Sequence, residues 1–309
     1  MGNTFYFEFE WTFMEWLQSM MGSVGITIAS VMSMLGEEML LIAIMGFLYW
    51  CWNKELGKFV GTNIVLAMTL NPMIKNIVLR RRPYFDLEGV ECLKPVDPDA
   101  DIYDIAAQGY SFPSGHSMNS ACVYGSIAAH ERRSKALWAV AIILPLLVGV
   151  SRVLLGVHYP TDVVVGWICG AIVVFALSRL QRSVRSQWKL RLAIFLISLT
   201  GIIWCRTDDY FTALGTMAGF FIGSQFEEKF VNFKPTRNVL KIILRMLGGL
   251  ALYFGLNTAL KMPFDAAFLA SSTMPAFLIR AVRYTIILFV VVGVYPLIFD
   301  RANRKKSVK

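Results

Sequence analysis

The chain has 309 residues, of which 56% are hydrophobic and only 17% charged, and its formal charge is +9. That balance excludes an ordinary soluble globule of this length. Nucleic acid is excluded as a partner too, because the lysines and arginines fall at the ends of apolar runs rather than in one patch.

Residues 1–35 mix aromatics with Glu8, Glu10, Glu15 and Gln18, and Gly22 and Gly25 interrupt them. This reads as an amphipathic segment lying in the membrane interface. No basic stretch precedes it, so a cleaved signal is not expected, and Tyr6 breaks a myristoylation pattern. Apolar runs follow at 36–53, 57–79, 115–130, 136–153, 161–180, 191–206, 211–226, 238–261 and 281–299. About 20 apolar residues cross a bilayer, so the expected class is an all-α integral membrane protein, a polytopic helical bundle with nine crossings. Lys54 and Lys58, Arg132 to Lys135, Arg182 to Arg191, Lys229 to Arg237 and the tail Arg301, Arg304, Lys305, Lys306 and Lys309 mark one face. By the positive-inside rule that face is cytoplasmic, with the N-terminus outside.

The second run ends in Lys-Asn-Ile-Val-Leu-Arg-Arg-Arg-Pro, residues 75–83. A helix continuing through Arg82 puts Lys75 and Arg82 on one side about 10 Å apart, with Pro83 as its stop. Arg80 and Arg81 read as cations snorkelling to headgroups, whereas Lys75 lies deep enough in the run to serve a site. The third run opens on Phe-Pro-Ser-Gly-His-Ser, residues 112–117. Ser114 suits a helix N-cap and Gly115 lets an anion approach free backbone N–H groups, with His116 in the first turn. His130, at the far end of the same run, reads as structural.

Residues 151–162, Ser-Arg-Val-Leu-Leu-Gly-Val-His-Tyr-Pro-Thr-Asp, join the fourth and fifth runs. Pro160 favours a helix start near Tyr159, which places Asp162 in the first turn facing His158. A carboxylate on one ring nitrogen leaves the other basic and aimed. Together, Lys75, Arg82 and Arg152 supply positive charge, Ser114 and Gly115 supply donors, and His116, His158 and Asp162 supply proton and nucleophile chemistry.

These three segments, K-x6-R-P, P-S-G-H and S-R-x5-H-x3-D, resemble in order the signatures of the type 2 phosphatidic acid phosphatase superfamily. The resemblance covers roughly residues 36–182. It implies a catalytic membrane core there, with 1–35 as an interfacial segment and 183–309 as added C-terminal helices and a basic tail. By motif, the resemblance makes His158 the nucleophile, Asp162 its orienter and His116 the acid for the leaving oxygen. Lys75, Arg82, Ser114, Gly115, Arg152 and Ser151 would then hold the phosphate. No metal and no cofactor is implied. The expected activity is a phosphomonoesterase acting on a lipid phosphate, with membrane lipids as its other partners, in a multi-pass protein of the cell membrane. Its pH profile should be bell-shaped, one histidine attacking while the other donates. Rivals are a polyprenyl diphosphate phosphatase, a phosphatase of soluble sugar phosphates, a vanadate-dependent peroxidase, and a non-catalytic transporter or scaffold. The nine-span layout resembles the glucose-6-phosphatase and sphingoid-base-phosphate phosphatase branches.

Other features read as structural. Asp97, Asp99, Asp101 and Asp104 lack the glycine and closing glutamate of a calcium loop. Arg245, Arg280 and Arg283 read as snorkelling cations, Asn119 and Ser120 as glue between helices, and the five cysteines as small hydrophobes apart from a conceivable Cys92–Cys205 bridge.

Overall fold

The structure is a computed structural model that describes residues 2–299, so the basic tail Arg301 to Lys309 lies outside the described residues. Among the described residues all named elements are helices, with a single isolated parallel bridge between Asn3 and Arg80. The order is α1 (Glu8–Ser19), α2 (Ser23–Met34), α3 (Glu38–Phe47), α4 (Lys54–Val78), α5 (Pro83–Asp86), α6 (Ile105–Gln108), α7 (Gly115–His130) and α8 (Lys135–Leu154). There follow α9 (Pro160–Ser183), α10 (Gln187–Leu199), α11 (Asp208–Phe226), α12 (Val239–Ala259), α13 (Ala266–Ala270) and α14 (Met274–Leu288). Helices α8, α9, α12 and the stretch Met274–Phe299 are long and apolar enough to cross a membrane, and α1 with α2 qualifies as a pair bent by 118°. Helix α7, with 16 residues, is shorter, and α4 carries Lys54, Glu55, Lys58, Lys75 and three asparagines along its 25 residues.

The chain divides into two compact units. The first, Met1–Leu41 with Leu70–Ser178, holds every residue singled out for chemistry. Its core includes Met14 of α1, Leu87, Val90, Val153, Tyr159 and Val163, packed together and fully or nearly buried. Helix α9 meets α7 through glycines: a Cβ on Gly166 would lie 2.8 Å from the Ser114 carbonyl oxygen, and one on Gly170 would lie 2.6 Å from that of Met118. Small residues at this spacing let two backbones approach closely, which sets the start of α9 beside the start of α7.

The second unit, Ile42–Thr69 with Arg179–Lys309, is organised around α11 and α14. Gly215, Gly219 and Gly223 repeat every fourth residue along α11 and face Ala281, Thr285 and Gly293 without room for a side chain. Its buried Glu227 accepts from Lys54 at 3.0 Å and from the Phe233 amide at 3.0 Å.

Several expectations are corrected here. Arg245 does not snorkel: it is buried, donates to the Trp50 and Lys234 carbonyls and stacks on Phe299, because those carbonyls need donors away from water. Arg283 is likewise buried and donates to Asn257 Oδ1, while Arg280 pairs with Asp208 at 2.6 Å. All five cysteines are free, so the Cys92–Cys205 bridge does not form.

Candidate active site

The first corrected detail is the end of α4. Its helical backbone stops at Val78 rather than after Arg82, and Leu79 takes a positive φ of 55°. From there the chain runs extended beside Asn3, whose amide donates to Leu79 O and whose carbonyl accepts from the Arg81 amide. Arg80 is therefore turned inward, 1% exposed, instead of reaching for headgroups, and only Arg81 stays at the rim, paired with Asp86. Pro83 opens α5 instead of closing α4.

Arg82 uses its guanidinium on backbone. Nε donates to the carbonyls of Gln108 and Gly109, and Nη1 donates to Val157 O at 2.9 Å. That last bond fastens the end of the Lys75–Pro83 segment to the residue before His158. Gln108, buried in the loop between α5 and α7, bonds Val96, Asp97 and Asp101. The loop aspartates are used on its own backbone, Asp97 on the Asp99 amide, Asp101 on Tyr103 and Asp104 on Ala106.

Ser114 caps α7, accepting from the Ser117 amide, and its own amide donates to Asp162 O at 3.0 Å. The Pro-Ser-Gly-His turn and the start of α9 are thus one joined piece. Asn71 of α4 donates to Pro113 O, and its Oδ1 lies 3.2 Å from where a Gly115 Cβ would be, so a side chain there would press on Asn71. On the other side, Gly36 packs against the backbone of His116.

Helix α9 begins at Pro160, as the proline implies, and Asp162 sits in its first turn. Asp162 Oδ2 accepts from the Tyr159 amide at 2.9 Å and lies 3.4 Å from His158 Nδ1. His158 Nε2 is the nitrogen left for chemistry. Burial, then Arg82, Arg152, Lys75 and His116 in that order, holds the His158 imidazole well below the usual histidine range.

Arg152 donates to Ser33 of α2 at 2.7 Å, and its buried Nε finds no partner within the protein. A buried donor of that kind is what an entering anion satisfies. Ser151 is buried but spends its hydroxyl proton on Val148 O at 2.6 Å. His130 lies apart, against Glu131 at the end of α7.

The turn before the site has no room for change. Gly156 has φ 72°, and a Cβ there would sit 2.0 Å from Glu91 O. Gly156→Ala should destabilise the protein by more than about 2 kcal/mol and displace His158 two residues on. A thermal melt in detergent checks this, and a variant melting within a degree or two of the parent would refute it.

Sequence reasoning missed Glu10, Ser33, Asn71 and Arg80. Glu10 had one usable signal, a carboxylate in an aromatic, apolar segment with no basic residue near it in sequence. Such a charge needs a partner from elsewhere.

A family model described as PAP2 superfamily matches residues 57–186, and a second, PAP2 superfamily phosphatase, transmembrane extension, matches 211–307. The chain is 32% identical over 180 residues to phosphatidylglycerophosphatase B of Bacillus subtilis, covering 55% of this chain and 78% of that protein. It is 29% identical over 123 residues to undecaprenyl-diphosphatase of Sulfolobus acidocaldarius, covering 40% of this chain and 54% of the relative. With glucose-6-phosphatase 2 of Mus musculus it shares 26% over 164 residues, covering 47% of this chain and 46% of that one. The crystal structure of a transmembrane PAP2 type phosphatidylglycerolphosphate phosphatase from Bacillus subtilis superposes with a TM-score of 0.45 at 25% identity, over 58% of this chain and 87% of that one.

Proposed function

This multi-pass membrane protein belongs to the PAP2 superfamily of phosphatases, and from that premise we propose that it hydrolyses a lipid phosphate monoester through a phosphohistidine on the extracytoplasmic face. The observation that carries the reading is buried His158, with Asp162 at its Nδ1 and Arg82 bonded to the carbonyl of the preceding Val157. The named relatives include glucose-6-phosphatase 2 and lipid A 1-phosphatase of Rhizobium etli, but the higher identities over the longer share belong to phosphatidylglycerophosphatase B, whose name is that of a lipid phosphatase, and this supports a lipid over a soluble sugar.

In the first step Nε2 of neutral His158 attacks phosphorus, an N–P bond forms and the ester P–O bond breaks. His116 gives its proton to the leaving alkoxide. In the second step water attacks the phosphohistidine, His116 takes the water proton, the N–P bond breaks and inorganic phosphate leaves. Charge on the equatorial oxygens is met by Lys75, Arg82 and Arg152, by the Ser114 hydroxyl and by the Gly115 amide, the Ser114 amide being held by the Asp162 carbonyl. Ser151 adds to this clamp only if its proton turns away from Val148.

Purified protein in lipid, offered a liposome-borne lipid monophosphate, a polyprenyl diphosphate and a soluble sugar phosphate, tests the substrate class. The monophosphate lipid should be turned over fastest, with inhibition by vanadate. Preference for the diphosphate or the sugar phosphate would replace this reading with the corresponding rival, and inactivity on all three would favour a transporter or scaffold. The basic connections support the orientation, which reagent labelling of single cysteines from either side would check.

The pH dependence follows from His158. The reacting form is the neutral imidazole, so activity is present above the folded pKa and lost as pH falls through it. Because that value is lowered, the acid limb of kcat/KM should lie below about pH 6.5, the ordinary histidine value. An acid limb above pH 6.5 would contradict the described environment.

A further inference from the structure

We propose that Glu10 and Arg80 are positioning residues for the His158–Asp162 pair: the N-terminal helix holds a guanidinium that holds the carboxylate that aims the nucleophile. The proposal rests on the phosphohistidine reading for what His158 does, and on geometry for how it is held.

Arg80 Nη1 donates to Asp162 Oδ1 at 2.7 Å and to Thr161 Oγ1 at 2.8 Å, and Nη2 donates to Glu10 Oε2 at 2.9 Å. Nε donates to the Phe5 carbonyl at 2.9 Å. The guanidinium lies over the Tyr159 ring, 3.7 Å from its centre, and over the Phe5 ring at 4.7 Å. Glu10 in turn accepts from the Thr161 amide at 3.0 Å, the Thr161 hydroxyl at 2.6 Å and the Phe7 amide at 3.0 Å.

Glu10, Arg80, His158 and Asp162 are each at most 2% exposed. Three consecutive links therefore run from α1 to the His158 ring with little water to loosen them. Each oxygen of Asp162 is committed: Oδ1 to Arg80, Oδ2 to Tyr159 N and His158 Nδ1. The planar guanidinium meets Asp162, Thr161, Glu10 and the Phe5 carbonyl at once in fixed directions, which a point cation cannot do, while the Oδ2 bonds keep the carboxylate from turning. Thr161, bonded to both Glu10 and Arg80, is next to Asp162 in α9, so α1 also fixes the register of the turn that carries the carboxylate.

Phosphate itself is bound by other groups, so loss of positioning should appear in kcat and not in KM. Arg80→Lys keeps the charge but loses the fork, and should lower kcat about 100-fold. Glu10→Gln keeps the volume and should lower kcat about tenfold. In both, KM and inhibition by inorganic phosphate should stay within about threefold of the parent, the range expected when only the reacting geometry has moved.

Parent and variants would be assayed in lipid, with inorganic phosphate as the product inhibitor and with acid-labile phosphoenzyme trapped in rapid-quench mixing. Variants with parental kcat, or with kcat and phosphate affinity lost together, overturn the proposal, the second outcome marking a merely structural role. If Arg80→Lys does not assemble, Glu10→Gln decides. A parent that yields no phosphoenzyme defeats the covalent reading alone. A parent that yields it and variants that form it at the parental rate defeat the positioning alone.

Discussion

Replacing His158 by alanine is expected to abolish turnover, by at least about 10⁴-fold in kcat, while the protein remains folded. The size follows from the site. On the proposed mechanism the ring is the nucleophile, and Lys75, Arg82 and Arg152 would offer positive charge but no substitute lone pair. His116, the remaining imidazole of the pocket, is committed to the leaving oxygen. The fold should survive because His158 lies between α8 and α9, outside both helices, and its backbone is held by Arg82 at Val157 and by the turn at Gly156. Unchanged binding of inorganic phosphate would show an assembled pocket. Residual turnover above one part in about a thousand in that variant would end the covalent mechanism.

Asp162→Asn should be nearly as damaging, lowering kcat on the order of 10³ to 10⁴-fold. Asp162 is surrounded by donors: Arg80 on one oxygen, the Tyr159 amide and His158 Nδ1 on the other. An asparagine has one acceptor and one NH₂, so whichever way it turns, an N–H must face an N–H. If the NH₂ faces Arg80, a buried guanidinium loses its second carboxylate; if it faces His158, the ring is pushed toward the tautomer that protonates Nε2, the attacking nitrogen. The first orientation costs stability and the second costs rate. A rate loss confined to KM, with kcat intact, would show that Asp162 acts on substrate binding instead.

The sequence carried much of this. Spacing alone placed Asp162 beside His158, because a proline fixed where α9 begins, and the cap at Ser114 followed from residue type. Joined to the motif order, that was enough to expect Lys75, Arg82, His116, Arg152 and His158 around one phosphate. Arg80 was misjudged for a definite reason. A helix continued through Arg82 points Arg80 away from the site, and only the positive φ at Leu79 and the pairing with Asn3 turn it inward. Nothing local in the sequence announces that turn. Arg245 and Arg283 failed alike: a cation near a helix end looks the same whether it meets water or a buried carbonyl, and only the packing decides.

The contact between Glu10 and Thr161 spans 151 positions of the chain. A ribosome delivers the carboxylate first, Arg80 next and Thr161 much later, after α8 and the opening of α9 have been made. Until then Glu10 lacks both donors of Thr161, and the exposed Phe9, Phe13 and Trp16 of the same helix can moor it in the headgroup layer. The centre is thus completed late in synthesis, and an unfinished chain released before Pro160 cannot carry a working nucleophile.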